Sequence, residues 1–305
     1  MNKKGFLGWL LFFLIIAILG ILAYSYLSPS SPRNFVQNYS TVNIPSYNGT
    51  LQFYPNMRFP KKSLSYSIDT ACSQEKRDRM IQAFSRLENE TQLKFSESSL
   101  GDILVNCRET QAPENGETFI AGEGGAKTII KTDKYNIIEQ GEILLLYQKA
   151  CNNYHVELHE LLHVFGFKHS DNPSSLMYNV SECNQRLTQD IVLELERLYS
   201  VSELPDLYMI NVSATKHSAF MISYLDFSLD VKNQGLAKAD NVILEVYDSS
   251  SKVDEFTLET ISYGEGKYFK AKNIRFSGNK VSFLVKSAEA DLDLTNNRVD
   301  LAISS

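Results

Sequence analysis

The hydrophobic pattern changes character partway along this chain. Up to about residue 203, alternating runs are interspersed with helical periods; beyond Leu204-Pro205-Asp206 only alternation remains. In the first regime, residues 64–68 alternate as a strand, and residues 74–93 carry Met80, Ile81, Phe84 and Leu87 at helical spacing. Short strands are expected at 94–96 and 102–107, a glycine-rich surface loop at 116–125, and further strands at 128–130 and 143–147. A helix follows, with Asn152 as a candidate cap, and a last helix carries Ile191, Leu195 and Leu198. In the second regime, strands are expected near 206–213, 220–231, 241–248, 253–260, 267–275, 281–287 and 297–303. Seven strands in about 100 residues, with turn signals such as Asn233-Gln234-Gly235, indicate an immunoglobulin-like β-sandwich.

Ahead of both regimes, residues 6–27 contain no charge and are long enough to span a bilayer as a helix. Lys3 and Lys4 precede this run, and the next cation is Arg33. The positive-inside bias then puts residues 1–5 in the cytoplasm and everything beyond the anchor outside the cell. A cleaved signal peptide is the competing reading, but it would need a shorter apolar region and a small-residue cleavage site. Residues 28–60, opening with Ser28-Pro29-Ser30-Ser31-Pro32, read as a linker. The expected organisation is a domain over 61–203 followed by a sandwich domain over 204–305.

The chemistry is concentrated in the helix expected after residue 152. His159 and His163 are one helical turn apart and face the same way. Glu160 lies on the adjacent strip, placed to touch a metal-bound water without ligating. Gly166 can end the helix and let the chain return with His169. Three histidine ligands leave one tetrahedral position open, which marks a catalytic Zn2+ site rather than a structural one. Five fixed positions in this order arise by accident in on the order of one chain in 10⁵. His155 is in phase with the pair but lies eight residues, about 12 Å of helix, from His163, so one ion cannot use both.

These residues resemble the metzincin metallopeptidases, and the matrixin branch in particular. Ser174-Ser175-Leu176-Met177-Tyr178 is similar to the methionine turn of that class, with Met177 eight residues after His169. Ser170 directly after the third histidine agrees, as does the segment from Leu187 to Tyr199, which resembles the helix closing matrixin domains. Asn172 and Asn179 stand where matrixins usually carry aspartate and proline, so the resemblance is that of a divergent member. The resemblance and the element order imply an α+β domain, a twisted mixed sheet with three helices, ahead of the all-β sandwich. They also imply a zinc-dependent endopeptidase acting on protein or peptide substrates, with Met177 supporting the site and Glu160 as general base. Asn233-Gln234-Gly235 and Asn296-Asn297 resemble turns in adhesion-type sandwich repeats.

Net charge of −6 and the lack of a basic stripe argue against nucleic acid as a partner. Cys72, Cys107, Cys151 and Cys183 contain no C-x-x-C pair, and an even number outside the cell suggests two disulfides, with Cys72–Cys107 and Cys151–Cys183 the preferred pairing. The rival reading is a surface adhesion protein whose metal site is structural or inactive. Structural calcium, substrate preference and oligomeric state leave no signal in the sequence.

Overall fold

The computed structural model describes residues 51–108, 120–146, 153–219 and 222–303, together with residues 14, 16–18 and 33–36. Most of the apolar run at 6–27 lies outside the described residues. Among those described, no helix is long and apolar enough to cross a membrane. The first 33 residues and residues 34–305 form separate units.

After a short strand β1 (Arg33–Val36), the first layer is a six-stranded sheet. Its strands are β2 (Met57–Arg58), β3 (Ser63–Ile68), β4 (Lys94–Glu97), β5 (Ile103–Cys107), β6 (Gly122–Lys131) and β7 (Asn136–Leu145). The order is β2-β7-β5-β3-β4, with β6 added to β7. All neighbours are parallel except the β6–β7 hairpin, which is antiparallel, so the sheet is mixed as expected. The expected glycine loop is corrected in part: from Gly122 onward it is the start of the ten-residue strand β6.

Three helices accompany the sheet: α1 (Gln74–Glu90), α2 (His155–Val164) and α3 (Gln189–Tyr199). Ser73 caps α1, its side chain accepting from the Lys76 N–H. Met80, Phe84 and Leu87 of α1 pack with Leu64, Ile103 and Val105 of the sheet and with Leu158, Leu161 and Leu162 of α2. Burying such a row of Leu- and Ile-sized side chains contributes roughly 1.5–3 kcal/mol each, which is what fixes α2 against the sheet. Tyr154, not Asn152, precedes the first turn of α2; Asn152 lies outside the described residues.

The second region is a pair of four-stranded sheets. One runs β1-β12-β9-β8 and the other β11-β10-β13-β14, built from β8 (Leu207–Ala219), β9 (Ile222–Asn233), β10 (Ala239–Asp248), β11 (Ser251–Ile261), β12 (Glu265–Arg275), β13 (Lys280–Lys286) and β14 (Arg298–Ala302). Each of the seven expected strands has its counterpart here. Leu225, Phe227, Leu229 and Val231 of β9 face Val242, Leu244, Val246, Phe283 and Val285 across the interior, a core distinct from the first. Period-two alternation is legible because one side of each strand meets that core and the other meets solvent.

The regions meet through the β6–β7 hairpin. Ile130, Ile137 and Leu236 form a small buried cluster flanked by Tyr135, Val201 and Tyr263. Beside it the Lys134 ammonium donates to the fully buried Asp206 carboxylate at 2.6 Å, and the Tyr208 hydroxyl donates to Asp133.

Cys72 and Cys107 form a disulfide that ties the segment before α1 to the end of β5. Cys183 is also disulfide-bonded. Cys151, its expected partner, lies outside the described residues.

Candidate metal centre

His159 and His163 come from the buried face of α2, and His169 from the chain that returns after it. The return is made at Gly166, whose φ of +84° is a left-handed conformation open to glycine and strained for other residues. The three Nε2 atoms converge: His159 to His163 is 3.1 Å, His163 to His169 3.2 Å, and His159 to His169 3.3 Å. Ligands at a Zn–N distance near 2.0–2.1 Å in a tetrahedral shell stand about 3.3–3.4 Å apart. The donor set therefore fits a zinc ion. His155 stays outside the group, its Nδ1 3.3 Å from the Glu182 carbonyl.

The backbone sets the tautomers. His159 Nδ1 donates to the Leu176 carbonyl at 2.6 Å, and His163 Nδ1 donates to the Phe167 carbonyl at 2.7 Å. A carbonyl can only accept, so the proton of each neutral ring sits on Nδ1 and the lone pair of Nε2 points inward. Burial keeps the rings neutral: it lowers His163 to about 3 and His159 to about 4, and it lowers His169 as well. Two inward lone pairs, from His159 and His163, beside the converging His169 Nε2 suit a cation.

The Leu176 carbonyl belongs to the expected methionine turn. Met177 is 1% exposed in the main core, and its carbonyl accepts from the Ser170 N–H at 2.7 Å, tying the turn to the residue after His169. Asn172 caps the loop in place of an aspartate, its side-chain oxygen accepting from the Ser174 N–H at 3.0 Å. Asn179 is exposed.

Glu160 is 6% exposed and sits under strand β6. Its carboxyl is pushed up to about 8 by burial first, then by Glu123 and Glu157, against a hydrogen bond from the Gly124 N–H. Two glycines of β6 make this contact. A β-carbon on Gly122 would stand 2.8 Å from Glu160 Cγ, and one on Gly124 would overlap the Glu160 backbone carbonyl. Sequence reasoning missed these glycines, together with the Leu176 and Phe167 carbonyls. A glycine-rich stretch reads as a loop, and a carbonyl partner carries no residue signature.

No curated protein matches the chain. A solved structure of the CARDB domain of a Pyrococcus furiosus protein, in complex with di-metal ions, is 16% identical, covering 34% of this chain and 92% of that one with a TM-score of 0.28. Residues 204–291 match the CARDB family model, and residues 58–200 match the family model described as matrixin. By these matches, residues 58–200 are similar to the matrixin family and residues 204–291 to the CARDB family.

Proposed function

We propose that this chain is a membrane-anchored zinc endopeptidase that hydrolyses peptide bonds of proteins outside the cell. The observation that carries the reading is the convergence of three Nε2 atoms within 3.3 Å of one another, with the carboxyl of Glu160 one helical position from the first of them. His159, His163 and His169 would hold the ion. Zinc bound there supplies a water of lowered pKa and polarises the scissile carbonyl.

Glu160 does the proton work. A nearby cation favours its ionised form over the neutral form that burial favours. The Gly124 N–H orients one oxygen, and the other is left to accept the proton of the attacking water and return it to the leaving amine nitrogen. Strand β6 screens the carboxyl from bulk water. Substrate would lie extended along the sheet edge next to the site, by strand addition, in the region before α2 that includes β6.

The uncharged run at 6–27 preceded by Lys3 and Lys4 supports the anchor and the outward orientation, and the disulfides suit an oxidising compartment. The organisation proposed is residues 1–5 inside, 6–27 in the membrane, a connecting segment from 28 whose residues 51–60 already pack with the peptidase region, the peptidase to 203, and 204–305 as an outward-facing sandwich. Incubating the zinc-loaded chain with a broad peptide library tests the reading. Cleavage abolished by a chelator is expected; a zinc-replete chain that cleaves nothing would contradict it.

A further inference from the structure

Residues 51–54 precede the matrixin match, which begins at residue 58, and nothing in their sequence marks them for chemistry. They lie against the stretch that joins the second histidine to the third. The Phe53 N–H donates to the Gly166 carbonyl at 2.8 Å, and the Lys168 N–H donates to the Leu51 carbonyl at 3.0 Å. Gln52 and Phe167 are thereby paired as an antiparallel bridge.

The Gln52 side chain is 2% exposed. Its amide nitrogen donates to the Met57 carbonyl at 2.6 Å and to the Phe165 carbonyl at 2.8 Å, and its oxygen accepts from the Met57 N–H at 3.1 Å. Phe165 caps the C-terminus of α2, where carbonyls lack partners within the helix. The Phe53 ring stacks on the His163 imidazole, centroids 6.1 Å apart and planes at 25°.

A passive tether does not need a buried amide with three hydrogen bonds. The contacts to Phe165, Gly166 and Lys168 flank Phe167 on both sides, and its carbonyl holds His163 Nδ1. Partners of this kind set the orientation and basicity of a ligating histidine. We propose that residues 51–54 are a working part of the metal centre, with Gln52 and Phe53 as positioning residues that hold the Phe167 carbonyl and the His163 ring in ligating orientation. The proposal rests on the reading of the three histidines as the zinc ligands.

The test is the zinc affinity of the full chain, measured by competition with a chromophoric chelator, together with the visible spectrum of the Co2+-substituted protein. Gln52→Ala and Phe53→Ala are each expected to weaken zinc binding about 10-fold and to shift the cobalt bands, while Phe53→Tyr restores both. Val285→Ala, in the sandwich core, is expected to lower the melting temperature without changing zinc affinity. Unchanged affinity and spectrum in both alanine variants, or an equal loss in Val285→Ala, would overturn this proposal alone. A wild-type chain that binds no zinc would overturn it along with the reading of the histidines.

Discussion

Gly124 on the edge strand lies against the backbone carbonyl of Glu160 on the buried helix, so closely that a side chain at Gly124 has no room. Gly125, the next residue, has nothing within 4 Å of where its β-carbon would be. The neighbouring pair makes an internal control. Gly124→Ala is expected to destabilise by about 1–3 kcal/mol, the usual range for overpacking, and to reduce peptidase activity by displacing the strand from the carboxyl. Gly125→Ala is expected to stay within about 0.5 kcal/mol of wild type. Urea midpoints and peptide turnover on the two variants check both statements.

The same contact shows where sequence reading stops. His159, His163 and His169 are legible because helix periodicity and one left-handed glycine dictate their convergence locally. The seven sandwich strands are legible because each has one face on a core. The alternation marks strand β6 only from 128, whereas it begins at 122, since glycine is depleted in strands. Its glycines answer to the approach of α2, a tertiary fact with no local trace. Gln52 and Phe53 escape for a similar reason: the residues near the centre that they meet, Phe165 and His163, are more than 100 positions away.

Lys134 and Asp206 couple the two domains. Asp206 is fully buried and also accepts from Asn296 Nδ2 at 2.8 Å. Lys134→Met would leave that carboxylate without its cation, at a cost of about 1–3 kcal/mol. Because the pair bridges the domains, limited proteolysis is expected to cut faster near residues 201–205 in the variant. An unchanged cleavage rate would show that the apolar cluster of Ile130, Ile137 and Leu236 alone holds the junction.

Asp102 gives the first domain an acid-sensitive element away from the three histidines. Burial acts to raise its pKa, but the Ser65 N–H at 2.7 Å, the Ser65 hydroxyl at 2.8 Å and the Lys61 ammonium at 2.9 Å outweigh it, so the group stands below 3.8. A carboxyl lowered by folding contributes stability above its unfolded pKa, and that contribution is lost as pH falls through the folded value. Asp102→Asn is therefore expected to be less stable than wild type at pH 6. The gap should narrow once the pH drops below about 3.8. Denaturant midpoints of the two proteins at pH 6 and pH 3 read this directly; a gap that widens in acid would reverse the assignment.

Glu160 carries the central claim, because it separates a catalytic site from a merely metal-binding one. The deciding measurement is zinc content and peptide hydrolysis on the same preparations of wild type, Glu160→Ala and His163→Ala. Wild type is expected to hold one zinc ion and cleave. Glu160→Ala should keep the ion and lose turnover by about 10²-fold or more, and His163→Ala should lose both. Full turnover in Glu160→Ala with its zinc retained would contradict the account.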